Sequence, residues 1–256
     1  MAQETVHVER DGRTLVITID RPGARNAVDR YAAEQVAAAL DLLDADRDLT
    51  VGVLTGAGGT FSSGMDLKAF LATGDRPEIA GRGLAGLTLT PPAKPLLAAV
   101  EGFALAGGCE MALACDVVVA ADNAVFGLPE VKRGLIAGSG GLLRLPRRIP
   151  PGIAMEYALT GEQMSAVDAH RWGLVNRLTP PGEALAEACR LAGLIAANGP
   201  LAVKVTKQLI TEAATETISG AWPRQNALLA TVLASADARE GAAAFVGKRS
   251  PAWRGE

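Results

Sequence analysis

The amino-acid sequence predicts an α/β protein, in which strands alternate with helices that cross over and cover a sheet. Short β-branched apolar runs, read as buried strands, are separated by stretches whose apolar residues recur at helical spacing. With 256 residues, 49% of them hydrophobic, the chain is long enough to bury a full core in one or two domains. Aromatic residues make up only 4%, whereas Ala and Gly abound, so that core must be tight aliphatic packing with closely approaching backbones.

The first strand is Thr14 to Ile19, ended by Arg21-Pro22-Gly23. A helix from Tyr31 to Asp44 repeats Ala, Val and Leu on one face and leads to a second strand, Val51 to Thr55. Strands at Leu96 to Val100 and Val117 to Val119 flank a helical stretch, Cys109 to Cys115. Helices follow at Gly152 to Leu159 and Glu183 to Ala197, and a last strand signal lies at Val175 to Leu178. Asn198-Gly199-Pro200 breaks the pattern. Beyond it come only helical stretches, at Ala202 to Glu216, Gln225 to Ala234 and Asp237 to Lys248. The expected division is therefore a core over 1–198 and a helical region over 199–256. That region is small for an independent core and should pack on the core or on another subunit. No internal repeat is visible.

Composition excludes several functions. A net charge of −3 without Lys/Arg clusters argues against nucleic-acid binding. The short basic run from Arg144 to Arg148 reads as a helix end with a turn. Cys109, Cys115 and Cys189 are an odd set without metal-type spacing and read as buried thiols of a reducing compartment. Of the two histidines, His7 lies near the terminus and His170 reads as structural, in a helix-to-strand connection. Patterns for zinc hydrolysis, serine hydrolysis and P-loop chemistry are missing. A polar start at Met1 to Thr5 and the lack of a long apolar run predict a cytoplasmic protein with no membrane span.

The most informative residues are Glu110 and Glu130, set in small, apolar, glycine-rich surroundings. A carboxylate loses its hydration there at high cost, and two in one site can have their pKa values driven apart, giving a proton donor and an acceptor. The plainer alternative is that each is exposed or capped locally. Two glycine-rich turns add weight: Gly56 to Gly64, directly after a buried strand, and Ala106-Gly107-Gly108, before the helix bearing Glu110. Each allows an exposed N–H to aim at an anionic oxygen, or is an ordinary tight turn.

Taken as an ordered set, these segments resemble the enoyl-CoA hydratase/isomerase, or crotonase, family. The stretches that carry the resemblance are Arg21-Pro22 with Arg25-Asn26-Ala27, Phe61 to Lys68, Pro95 to Asp116 and Phe126 to Glu130. Gly134 to Leu145, Gly173 to Asn176 and Phe245 to Arg249 complete them, and the likeness spans essentially the whole chain. It implies a crotonase-like spiral of repeated ββα units with a helical C-terminal trimerisation region, giving a homotrimer or a dimer of trimers. It assigns the backbone amides of Met65 and Gly107 to an oxyanion hole, Glu110 and Glu130 to acid/base chemistry, and Gly138 to the pocket lining. Ala24, Arg25, Asp66, Lys68, Phe245 and Lys248 match positions around coenzyme A, the last two often reaching a neighbouring subunit's ligand.

The implied reaction is reversible addition of water to a 2-enoyl-CoA thioester. It uses no metal and no bound cofactor, because coenzyme A is part of the substrate and backbone dipoles activate the thioester. Double-bond isomerisation, a carnitinyl-CoA-type dehydration and non-catalytic acyl-CoA binding are the alternatives. Met65, a long side chain where small residues are common, and Ala137, where many hydratases carry proline, bear on acyl preference. Phe70 to Leu89, with Gly81, Gly83 and Gly86, should border the acyl tunnel as a mobile or irregular wall.

Overall fold

The computed structural model describes residues 5–214 and 216–256. The polar start at residues 1–4 and residue 215 of the expected helix from Ala202 to Glu216 lie outside them. The chain opens with β1 (Val6–Asp11), β2 (Thr14–Ile19), α1 (Arg30–Ala45), β3 (Val51–Gly56) and α2 (Leu67–Thr73). A two-residue hairpin, β4 (Glu78–Ile79) and β5 (Gly83–Leu84), precedes β6 (Leu96–Val100), β7 (Phe103–Leu105) and α3 (Gly107–Ala114). Then come β8 (Val117–Ala121), β9 (Val125–Gly127), a 3-10 turn at Pro129–Arg133, α4 (Gly141–Arg148) and α5 (Pro151–Thr160). The remaining elements are β10 (Met164–Ser165), α6 (Ala166–Trp172), β11 (Arg177–Thr179), α7 (Ala184–Ala196), α8 (Pro200–Ala213), α9 (Ile218–Ala234) and α10 (Ala236–Val246).

Six strands form the main sheet in the order β1-β2-β3-β6-β8-β11, and three form a second sheet, β10-β9-β7. Only the β1–β2 pair of the main sheet is antiparallel. Parallel strands need covering on both faces. On one face Val51, Val53, Leu97, Ala99 and Val119 meet Ala184, Ala188 and Ala192 of α7. On the other, Leu15, Ile17, Leu54, Ala98 and Val118 join the buried stripe of α1 and the whole of α3. Small residues on α7 let it approach the main sheet closely, and those on α3 let it pack on β7 of the smaller sheet, as the composition demanded.

The repetition is in the backbone and not in the residues. Each of the successive units β6–β7–α3 and β8–β9–α4 lays its first strand in the main sheet and its second in the smaller one. The sequence shows no repeat because strands of three residues carry too little pattern. Other expectations need correction. His7 lies not in a ragged end but in β1, where its Nε2 contacts Asp20 Oδ2 at 2.8 Å. Pro146 stands inside α4, so the basic run is a helix end that contains its proline. Cys189 is only half-buried, unlike Cys109 and Cys115. His170 is structural as expected, its Nδ1 contacting the Val175 carbonyl at 2.9 Å, but it sits within α6.

Of the C-terminal helices, α9 buries no residue and α8 buries only Val205. The final segment turns back on the body of the chain: the Trp253 indole donates to the carbonyl of Ala197 at 2.8 Å. The buried Asp237 carboxylate accepts from the amides of Arg254 and Gly255 at 2.7 and 2.9 Å. No helix among the described residues is long and apolar enough to cross a membrane.

Candidate active site

The site begins with a pinned turn. Asn26 is fully buried at φ 53°, and its side chain donates to the carbonyls of Ala57 and Thr60 at 2.8 and 2.6 Å while accepting from Arg21 N at 2.8 Å. This locks the segment before α1 to the loop after β3. Ser62 Oγ then donates to the Asn26 carbonyl at 2.8 Å and accepts from Gly64 N at 3.1 Å. Val28 N donates to Gly64 O at 2.7 Å and Asp66 N to Val28 O at 2.9 Å, which leaves Met65 N, between them, aimed away from the bridge.

Opposite lies the start of α3. A Cβ on Gly64 would stand 2.6 Å from Gly107 N, and a Cβ on Gly107 would stand 3.5 Å from Met65 N. A Cβ on Gly108 would meet the Ser62 carbonyl oxygen at 2.1 Å. The two glycine-rich turns are therefore in backbone contact, which only glycine permits. Among the described residues neither Met65 N nor Gly107 N donates to another group. Two N–H dipoles held side by side, one of them at a helix N-terminus, suit an oxygen that gains negative charge.

Glu110 occupies the first turn of α3 and is 2% exposed. Its Oε1 accepts from Ser139 N at 2.6 Å and from Gly141 N at 2.9 Å. Burial pushes this carboxyl above the ordinary range; the two amides and the charge of Arg144 pull it back only in part. Glu130 comes from the 3-10 turn after β9. Its Oε2 is buried and has no hydrogen-bond partner among the described residues. Burial raises its pKa as well, and the neighbouring charge of Glu110 adds to the rise. The plainer reading of two exposed or locally capped glutamates does not hold: Glu110 is buried, Glu130 ends in a buried oxygen, and burial is the largest influence on both carboxyls.

Other expected residues fall around this centre unevenly. Gly138 is exposed in the turn before α4, and a side chain there would project into open space, its nearest neighbour being Ile136 O at 4.0 Å. Ala24 and Arg25 end the short turn at Pro22–Ala24, with the Arg25 guanidinium 5.8 Å from the centre of the Phe103 ring. Lys68 is exposed at the start of α2. Asp66 is committed structurally: Oδ1 caps α2 by accepting from Lys68 N and Ala69 N, both at 3.1 Å, and Oδ2 pairs with Arg21 at 3.0 Å. Burial tends to raise the Asp66 pKa, but the Ala69 amide and Arg21 outweigh it and hold the group below the usual carboxylate range.

Phe245, 86% exposed, and Lys248 are not brought to the glutamates within one chain; α10, which bears Phe245, packs on α9. The segment from Phe70 to Leu89, expected to border the acyl tunnel, runs from the end of α2 through the β4–β5 hairpin into turns. Its glycines serve left-handed turns and close packing, since a Cβ on Gly86 would lie 2.6 Å from that of Ala37 on α1. A cleft of about 660 Å³ lies elsewhere, at the C-terminal end of α3. Its cations are largely engaged: Arg148 donates to the Cys115 and Asp116 carbonyls, and Lys207 pairs with Asp116 at 2.7 Å. Residues that sequence reasoning missed are Ser139 and Gly141, which hold Glu110, and Asn26, which pins the first turn. The glycine run at Gly138 to Gly141 was the available signal for the first pair.

The chain is similar to known proteins over nearly its whole length. The enoyl-CoA hydratase/isomerase family description matches residues 9–256. A solved enoyl-CoA hydratase from Mycobacterium tuberculosis H37Rv superposes with a TM-score of 0.97 at 54% identity, covering 99% of this chain and 100% of that one. A carnitinyl-CoA hydratase structure from Mycobacterium avium gives a TM-score of 0.80 at 42% identity, with 100% of each chain covered. Carnitinyl-CoA dehydratase of Escherichia coli K12 is 42% identical over 260 residues, spanning 98% of this chain and 99% of its own. The architecture is thus the crotonase fold. The chain belongs to the enoyl-CoA hydratase/isomerase family.

Proposed function

We propose that the protein is an enoyl-CoA hydratase that adds water reversibly across the 2,3 double bond of a 2-enoyl-CoA thioester. The observation that carries this reading is the unequal treatment of two buried carboxyls beside a pair of converging amides. The thioester oxygen lies between Met65 N–H and Gly107 N–H, which stabilise the enolate-like charge formed as water attacks C3. Glu110, whose Oε1 accepts from two amides that favour its charged form, orients water as base. Glu130, with an unpartnered oxygen and a like charge nearby that both favour its protonated form, is the donor that delivers a proton to C2. The pair shares charge, so its titration belongs to both residues.

Around the coenzyme A moiety we assign Ala24, Arg25 and Lys68, with Phe245 and Lys248 supplied by a neighbouring subunit. Asp66 acts through α2 and not by direct contact, because both its oxygens are engaged. The names of the relatives favour a second reading, dehydration of a 3-hydroxyacyl thioester of the carnitinyl type, which is the same chemistry run backwards on a cationic acyl group. Turnover of crotonyl-CoA and carnitinyl-CoA, with products identified, decides between them. Failure to hydrate any of a graded series of enoyl-CoA thioesters would defeat the hydratase reading. Isomerisation of a 3-enoyl-CoA without hydration would replace it.

A further inference from the structure

Among the described residues, Arg144 is a cation that acts on Glu110 and also touches the opposite wall of the site. It lies on the first turn of α4, half-buried, and its Nη2 donates to the Thr88 carbonyl at 2.6 Å. The same guanidinium covers Gly140: a Cβ there would fall 2.3 Å from Nη1. Gly140, at φ 94°, is the residue between the two amides that hold Glu110. On the far side, buried Thr88 accepts on Oγ1 from Leu84 N at 2.9 Å. The Leu84 side chain in turn stands against Gly107, where a Cβ would meet its Cδ2 at 2.7 Å. One planar fork thus ties the cradle of the carboxylate to the loop that backs the helix-end amide.

We infer that Arg144 is a positioning residue that fixes the Glu110 carboxylate relative to the Gly107 amide, and so sets where water stands against the acyl carbon. The inference rests on the reading of Glu110 and Gly107 as working groups. A planar guanidinium suits this task better than an ammonium, because it can bridge two backbone segments in a fixed geometry. Its position also has an electrostatic consequence. Arg144 is the favourable charge acting on Glu110, opposed by Glu78 of β4, while Glu130 faces Glu110 from the 3-10 turn. Burial depresses the Arg144 pKa, but an arginine that starts so high stays charged.

The test uses the full chain with crotonyl-CoA and compares Arg144→Ala, Arg144→Lys and Glu110→Gln. Arg144→Ala should lower kcat by about 10²-fold, the cost of a group displaced by about an ångström, with KM little changed. Its acid limb in the pH profile should move to higher pH, because the cation that favours ionised Glu110 is gone. Arg144→Lys should restore the limb but only part of kcat, and added methylguanidine should rescue Arg144→Ala and not Glu110→Gln. An Arg144→Ala enzyme with unchanged kcat and pH profile, beside an inactive Glu110→Gln, would overturn the inference and leave the hydratase reading intact. An active Glu110→Gln would overturn the reading itself. If Arg144→Ala does not fold, Arg144→Lys decides alone: full kcat overturns the proposal, and a reduced kcat with an unmoved acid limb supports it.

Discussion

Glu130 ends in a buried oxygen with no hydrogen-bond partner among the described residues, a state that destabilises the fold when the carboxyl ionises. Its folded pKa lies above the unfolded one, so the native state holds the proton more tightly. Stability is then full below the unfolded pKa and falls as pH rises through the folded value. Glu130→Gln removes that fall. It should lower turnover by roughly 10²-fold or more, while raising Tm at alkaline pH more than at acid pH. Scanning calorimetry across pH checks the sign, and a Tm that drops at all pH values would contradict it. Gly64→Ala should act on the amide pair: φ 87° and a Cβ 2.6 Å from Gly107 N leave no room. A loss of about 10²-fold in kcat is expected, the usual cost of disabling one oxyanion donor. The two glutamates and both glycine turns were legible in the sequence because acids and glycines stand out there. Ser139 and Gly141 were not, since they act through backbone amides that no residue name reveals.

Among the elements, β2, β3, β6 and β8 were legible because short apolar runs buried on both faces have a strong signal. The edge strand β1 was missed, since its exposed Glu9, Arg10 and Asp11 hide the pattern. The short strands β7 and β9 were missed because three residues cannot show a period. Helix α9 starts at Ile218, ahead of the Gln225 start that the sequence suggested, with Thr217 as its cap and Pro223 inside it. Proline in the interior of a pattern ordinarily marks a boundary, which is why the earlier turns went unread. The cap of α2 gives an element-scale prediction. Asp66→Ala removes both its amide bonds and one of the two carboxylates paired with Arg21, the other being Asp29, and should cost about 0.5–2 kcal/mol in chemical unfolding. Because α2 follows directly from Met65, KM for the thioester should also rise; an unchanged unfolding midpoint would argue that Asp66 serves the ligand instead.

At the scale of the molecule, the helices after Pro200 leave large apolar side chains on the surface, among them Ile210 at 71%, Trp222 at 53%, Leu233 at 64% and Phe245 at 86%. Such exposure is the basis for expecting this region to associate with further copies of the chain. Light scattering over a range of concentrations should find a trimer or a hexamer, and Leu233→Glu should dissociate it; a fully active monomer would refute this. The division at residue 198 was read from the Asn198-Gly199-Pro200 break alone, but the chain's last residues reach back across it. Trp253 touches three places at once: the Ala197 carbonyl at the end of α7, the neighbourhood of Gly199, and α10, where a Cβ on Gly241 would lie 3.2 Å from its ring. A staple set across this break should make the two parts melt together. Heating should therefore give one cooperative transition, and Trp253→Ala should split it into two, the helical region losing its structure first.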